Sequence, residues 1–135
     1  MKTYLLDTNI LLRFLNGAPE AQALRSKELL EQAESGALKV RILPLVVAEV
    51  VFVLTGKHYQ MDRSDVADAL ILFLENPSFD VVERDSLIHG LQLFKQHNID
   101  YADAYLAAES QHHDCGIASF DQDFLKIPEL DRFPF

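Results

Sequence analysis

The chain has 135 residues, 49% apolar and 24% charged, the profile of a soluble globular protein able to bury one core without disulfides or metals. Its longest apolar runs, such as residues 69–74, are far too short to span a bilayer. A net charge of −9, from 21 acids against 12 bases, excludes attraction to a polyanion through bulk electrostatics.

Residues 3–6 read as a strand, apolar on both faces, which suits a central position in a parallel sheet. Residues 9–16 follow as a helix with Ile10, Leu11, Phe14 and Leu15 apolar, ended by Asn16-Gly17. Pro19-Glu20 opens a second helix reaching about residue 35, with Gly36 as its stop. Residues 38–43 alternate, Leu38, Val40 and Ile42 against Lys39 and Arg41, so they form a strand with one partly solvated face. Pro44 opens a helix through Thr55 that is almost wholly apolar, and Glu49 is the single charge inside it. Asp62-Arg63-Ser64-Asp65 reads as a capped helix start, and that helix ends at Asn76-Pro77. A short strand at 79–82, helices at 85–97 and 101–113, and a brief strand at 116–119 complete the alternation. Residues 121–126 form a helical turn, and the apolar tail 130–135 an edge strand.

No repeat, low-complexity tract or flexible linker interrupts this order, so a single domain over residues 1–135 is expected. Strands alternating with helices predict an α/β domain whose parallel sheet is covered on both faces. Such sheets hold their sites at the carboxyl ends of the strands. Met1-Lys2-Thr3-Tyr4 runs directly into the first strand, without the pattern of a signal segment. Cys115 is the only cysteine, which points to a reducing compartment and hence the cytoplasm.

Four acids occupy comparable places in this pattern. Asp7 ends the first strand, Asp121 follows the strand at 116–119, Asp103 begins a helix, and Glu49 lies in the second turn of the helix after the second strand. Helices leaving parallel strands start at one edge of the sheet, so these carboxylates are expected to converge. Each also has a plainer reading. Asp7 suits a helix cap, Asp103 suits the dipole at a helix start, and Asp121 and Asp123 suit the surface of a short helix. Glu49 in so apolar a helix calls for a partner or a cation, unless it lies on a solvated stripe.

Clustered carboxylates repel one another unless a cation balances them, and an all-oxygen donor set suits Mg²⁺ or Mn²⁺. His112, His113 and Cys115 have poor spacing for zinc. A carboxylate site of this kind typically works at phosphorus, where two ions roughly 4 Å apart serve phosphodiester hydrolysis. The acids that would repel RNA are then those that hold its metals. Arg13, one turn beyond Asn9, is a candidate phosphate contact or a solvated surface residue.

At these residues the chain resembles the PIN-domain family, in particular the small VapC-type toxin ribonucleases of toxin–antitoxin pairs. The matching stretches are Leu6-Asp7-Thr8-Asn9-Ile10-Leu11-Leu12-Arg13, Glu49 in its apolar helix, Asp103-Ala104-Tyr105-Leu106-Ala107-Ala108 and Ser119-Phe120-Asp121-Gln122-Asp123-Phe124. The resemblance implies a three-layer α/β/α sandwich around a central parallel sheet of four to five strands. It implies an endoribonuclease dependent on Mg²⁺ or Mn²⁺, with Asp7, Glu49, Asp103 and Asp121 as metal-binding catalytic acids. Asn9 would support the first acid, Ser119 would orient Asp121, and Asp100 and Asp123 would be auxiliary acids. Ser119 stands where the family commonly has Thr, which keeps the hydroxyl. RNA as substrate, a homodimer and a cognate antitoxin are the partners the resemblance implies.

Two other phosphate-handling readings fit less well. A phosphatase of the haloacid-dehalogenase type needs an acid two residues after Asp7, where Asn9 stands. A receiver domain wants paired acids after the first strand and a Lys after the last. An RNA-processing PIN nuclease and a non-catalytic PIN-like module that merely holds RNA or protein remain as rivals.

Overall fold

Val40 and Ile42 alternate with Lys39 and Arg41, and that alternation sets the two faces of the middle strand: the aliphatic pair is buried and the basic pair exposed. The structure, a computed structural model, describes residues 1–135. Strands β1 (Thr3–Leu5), β2 (Lys39–Ile42) and β3 (Asp80–Val81) form a parallel sheet in the order β1-β2-β3. The register sets Tyr4 beside Val40 and Arg41 beside Asp80, and the latter two close an ion pair of 2.7 Å on the solvated face.

Parallel neighbours cannot be joined by a tight turn, so each step needs a crossover. Helices α1 (Thr8–Asn16) and α2 (Glu20–Glu34) fill the first, and α3 (Pro44–Thr55) and α4 (Arg63–Leu74) the second. Helices α5 (Arg84–Gln96) and α6 (Tyr101–His112) follow β3, and a 3-10 turn covers Gln122–Lys126. No helix is long and apolar enough to cross a membrane.

Local chemistry explains the boundaries. Gly17 stops α1 with φ +76°, and its N–H donates to the Arg13 carbonyl at 2.8 Å, a left-handed cap that favours glycine. Pro44 sits at the start of α3, where its missing N–H costs nothing. Asp62 caps α4 by accepting the Ser64 N–H at 3.1 Å.

The core lies between the sheet and the helices. Val40 and Ile42 meet Leu11 and Leu12 of α1 and the helically spaced Val47, Val50, Val51 and Leu54 of α3. Each such fully buried aliphatic side chain stabilises the fold by roughly 1.5–3 kcal/mol. Helices α5 and α6 pack on each other and on α4 and α3. Gly90 makes the α5–α6 approach possible, since a Cβ there would stand 3.3 Å from the Tyr105 Cα. Small residues Ala104, Ala107 and Ala108 of α6 are fully buried.

The sheet has three strands, not the expected four to five. Residues 116–119 and the tail make a single parallel bridge, Ile117 to Arg132, instead of two strands. The main chain of Ile117 bonds with the tail: its N–H donates to Asp131 and its carbonyl accepts from Phe133, both at 2.8 Å. β1 therefore lies at the edge, not the centre, and Leu5 is 65% exposed. Apolar residues on both faces suggested a central strand, but that composition does not name the neighbour.

Two arginines close helix ends. Arg63 donates through Nη2 to the carbonyls of Phe94, His97 and Ile99 at 2.8, 3.0 and 2.6 Å. Its guanidinium also stacks over the Phe94 ring at 3.7 Å. Arg84 binds the carbonyls of Leu74, Asn76 and Phe79 in the same manner. Leu74 and Phe94 are last-turn carbonyls that a helix C-terminus leaves without intrahelical partners, and the other four lie in the loops that follow α4 and α5. Arg63→Ala is expected to lower stability by about 2–3 kcal/mol in denaturant unfolding, as for loss of charge-assisted bonds to part-buried acceptors. A loss no larger than that of Lys27→Ala, at an exposed site, would contradict this role.

Candidate functional site

Asp7 takes the N-cap position of α1 through its backbone, and its carbonyl accepts the Ile10 N–H at 3.1 Å. Its side chain makes no capping bond, although the sequence offered that reading. The exposed carboxylate is therefore free for another ligand. Thr8 follows, buried, and its Oγ1 donates to Glu49 Oε2 at 2.9 Å. That bond ties the start of α1 to the second turn of α3 and brings the Glu49 carboxylate beside the residue next to Asp7.

Glu49 is exposed, not a buried charge, so its interest does not come from a desolvation cost. It lies on a solvated line of α3 with Leu45, 68% exposed, and Phe52, 78% exposed. The apolar residues of α3 outnumber what one helix face can bury, and of the two alternatives the sequence left for Glu49 the structure takes the solvated stripe. Glu49 and Asp100 line one cleft between α3 and the start of α6, with Tyr101 and Arg63. Asp100 is the N-cap residue of α6, and its side chain also makes no capping bond.

Among the predicted acids, Asp103, Asp121 and Asp123 gather at one place. One carboxylate oxygen from each lies within 4.8 Å of the other two. Asp103 sits in the first turn of α6, where the helix dipole favours an acid. Its carboxyl is nevertheless held above the usual carboxylate range, first by burial, then by Asp121, with which it also hydrogen-bonds, and by Asp100 and Asp123. Ser119 Oγ accepts the Asp121 N–H at 2.9 Å, and Asp121 Oδ1 accepts the Asp123 N–H at 2.9 Å. Asp121 thus caps the 3-10 turn as well as facing Asp103. Asp123 is partly neutralised by Lys126 at 2.9 Å, and Lys126 also reaches the Asn98 carbonyl at 2.8 Å.

The predicted acids therefore fall into two neighbourhoods. Asp103, Asp121 and Asp123 form the close group; Asp7 and Glu49 are joined through Thr8; Asp100 links the two, sharing a cleft with Glu49 and acting on Asp103. Asn9 and Arg13 line a separate groove between α1 and α2. An all-oxygen group of three carboxylates, one of them resisting ionisation, fits a hard divalent cation such as Mg²⁺ or Mn²⁺.

A second cluster escaped sequence reasoning. Glu83, Glu109 and His113 bring ligating atoms within 4.8 Å. Tyr105 OH lies 2.7 Å from Glu83 and 2.6 Å from Glu109, and His113 Nε2 lies 2.8 Å from Glu109. The hydrogen bond from Tyr105 holds Glu83 below the usual carboxylate range, and burial together with the two acids pushes the Tyr105 hydroxyl up. The helical spacing of Tyr105, Glu109 and His113 was visible in sequence; the approach of Glu83 from the end of β3 was not. His112 points elsewhere and packs edge-on to His89 at 5.2 Å.

A sequence profile of the PIN domain matches residues 4–130, and the chain belongs to the PIN domain family. PIN domains are generally nucleases that typically use a divalent metal, and membership suggests RNA as the ligand class. A search of curated proteins finds no match.

The raised Asp103 carboxyl has a stability consequence. Its folded state holds a proton more tightly than the unfolded chain, so its contribution is complete below the unfolded pKa and is lost as pH rises through the folded one. In metal-free buffer near neutral pH, Asp103→Asn is expected to raise the melting temperature by a few degrees. The gain should shrink as pH falls through the carboxylate range. A gain independent of pH would show that repulsion among these acids is not its source.

Proposed function

We propose that the chain is a Mg²⁺- or Mn²⁺-dependent endoribonuclease of the VapC type, the toxin of a toxin–antitoxin pair. The observation that carries this reading is the gathering of Asp103, Asp121 and Asp123 in a chain of the PIN family. Asp7, Glu49, Asp103 and Asp121 are assigned as the metal-binding catalytic acids, across a single domain of residues 1–135. Asn9, Ser119, Asp100 and Asp123 support them, and Arg13 contacts substrate. Ser119 fixes the backbone before Asp121 through its 2.9 Å bond, and Thr8 fixes the Glu49 carboxylate.

In this reading the carboxylates hold and orient the cation and stay ionised at neutral pH once it is bound, because its charge removes their mutual repulsion. A bound divalent ion supplies Lewis acidity toward the phosphodiester and lowers the pKa of water. The protein's own part is preorganisation. Asp103 stands on a helix packed close to α5, and Asp121 on a capped turn, so both are held before substrate arrives. The resemblance to VapC-type chains supports a homodimer, a cognate antitoxin and a cytoplasmic location as parts of the same proposal.

Purified protein with Mg²⁺ is expected to cut RNA, and Asp7→Asn and Asp103→Asn to reduce cleavage by at least about 100-fold, as for removal of a principal electrostatic stabiliser. Undiminished cleavage by both folded variants would rule the mechanism out. Millimolar Mg²⁺ should also raise the melting temperature of the wild type, because a ligand of the folded state stabilises it. The same rise in Asp103→Asn would count against these acids as the site.

A further inference from the structure

A chain of net charge −9 that handles RNA must still offer the strand some cationic surface. Arg13 on α1 and Arg25 on α2 line one groove, with Asn9, Gln22 and Ser26 beside them, and no carboxylate lines it. The rows match helical geometry. Asn9 and Arg13 are four residues apart on α1, while Gln22, Arg25 and Ser26 follow the three-and-four spacing on α2. Ser26 is buried, and Asn9 stands two residues beyond Asp7, so the groove includes the start of α1 just after that acid.

These arginines differ from Arg41, Arg63 and Arg84, whereas Arg132, also without an ion pair, lines a cleft that contains Asp121. Arg41 pairs with Asp80, and Arg63 and Arg84 bind main-chain carbonyls. Arg13 instead donates through Nε to Gln22 Oε1 at 3.0 Å. A neutral amide fixes the guanidinium plane without neutralising it, and leaves the terminal N–H groups for another acceptor. Arg25 forms no ion pair. Two uncompensated planar forks beside an acid-free wall match phosphate oxygens in charge and geometry.

We propose that the groove between α1 and α2 binds backbone phosphates of the RNA strand on the Asp7 side of the acidic edge. Arg13 and Arg25 make the contacts, and Gln22 is the positioning residue that aims Arg13. This rests on RNA being the substrate, as proposed above, and adds where the strand lies and how it is held. Contacts to phosphate fix the position of a strand without selecting its bases.

Binding of a short fluorescein-labelled oligouridylate, followed by anisotropy in EDTA across a salt series, tests this apart from hydrolysis. Arg25→Gln should weaken binding several-fold at low salt and flatten the slope of log K against log salt by about 0.7, the value for one lost phosphate contact on a single strand. Gln22→Glu keeps the bond to Arg13 and the melting temperature, yet places a negative charge in the groove, and should weaken binding further. Lys27→Gln removes the same charge from α2 outside the groove and should leave the slope unchanged. Equal slopes for Arg25→Gln and Lys27→Gln, or no binding by the wild type, overturn the proposal. A groove that serves an acidic protein segment leaves RNA affinity unmoved in every variant, which also overturns it. Groove-dependent binding without cleavage when Mg²⁺ is added would defeat the nuclease reading alone; cleavage with groove-independent binding would defeat this one alone.

Discussion

Parallel strand pairing is the constraint on which the remaining arrangement depends. Each strand must be left by a crossover, so strand ends and helix starts collect on one edge of the sheet. The link from β1 to α1 carries Asp7, and the link from β3 to α5 carries Glu83. The helix leaving β2 carries Glu49 in its second turn. Asp103 arrives by another route, on α6, which comes close to α5 because Gly90 has no side chain to hold it off. The position of the acid group is thus set by backbone packing as much as by the acids.

That edge remains unbalanced because many cations are engaged elsewhere. Arg63 and Arg84 close helix ends, Arg41 and Lys95 pair across the surface, and only Lys126 reaches the group, at Asp123. The N-terminal dipole of α6 offers Asp103 a partial compensation at most. Burial and three neighbouring acids outweigh it, as the raised Asp103 carboxyl records. An acidic edge left so exposed to its own repulsion is a feature that folding stability alone does not favour.

Much of this was legible in the sequence where a residue acts through its local chemistry. Gly17, Pro44 and Asp62 marked helix ends correctly because caps depend on only a few neighbouring residues. The alternation of Val40 and Ile42 with Lys39 and Arg41 gave the faces of β2 for the same reason. Partners distant in sequence were not legible. Periodicity could not say that Ile117 would bond to the tail, nor that β1 would stand at the edge. The apolar character of α3 left Glu49 either a buried, partnered charge or part of a solvated stripe, and a helix that leaves Leu45 and Phe52 in solvent leaves Glu49 there too. Within the candidate site, the closeness of Asp103 and Asp121 was expected from a helix start and a strand end, and it holds although residues 116–119 make only a bridge and Asp121 caps a 3-10 turn. The bond from Thr8 to Glu49 and the group around Tyr105 needed coordinates.

The pairing of β1 with β2 also governs the order in which the chain can assemble. Tyr4 finds its neighbour only at Val40, so the first strand must wait until all of α1 and α2 have been made. Closing so long a loop carries an entropic cost before any strand bond repays it, which makes local helix formation the faster early event. α1 and α2, which pack on each other, can dock before either strand is in place. On the ribosome the groove between them would then be among the first tertiary surfaces to exist, ahead of the acidic edge, which needs residues up to Asp123.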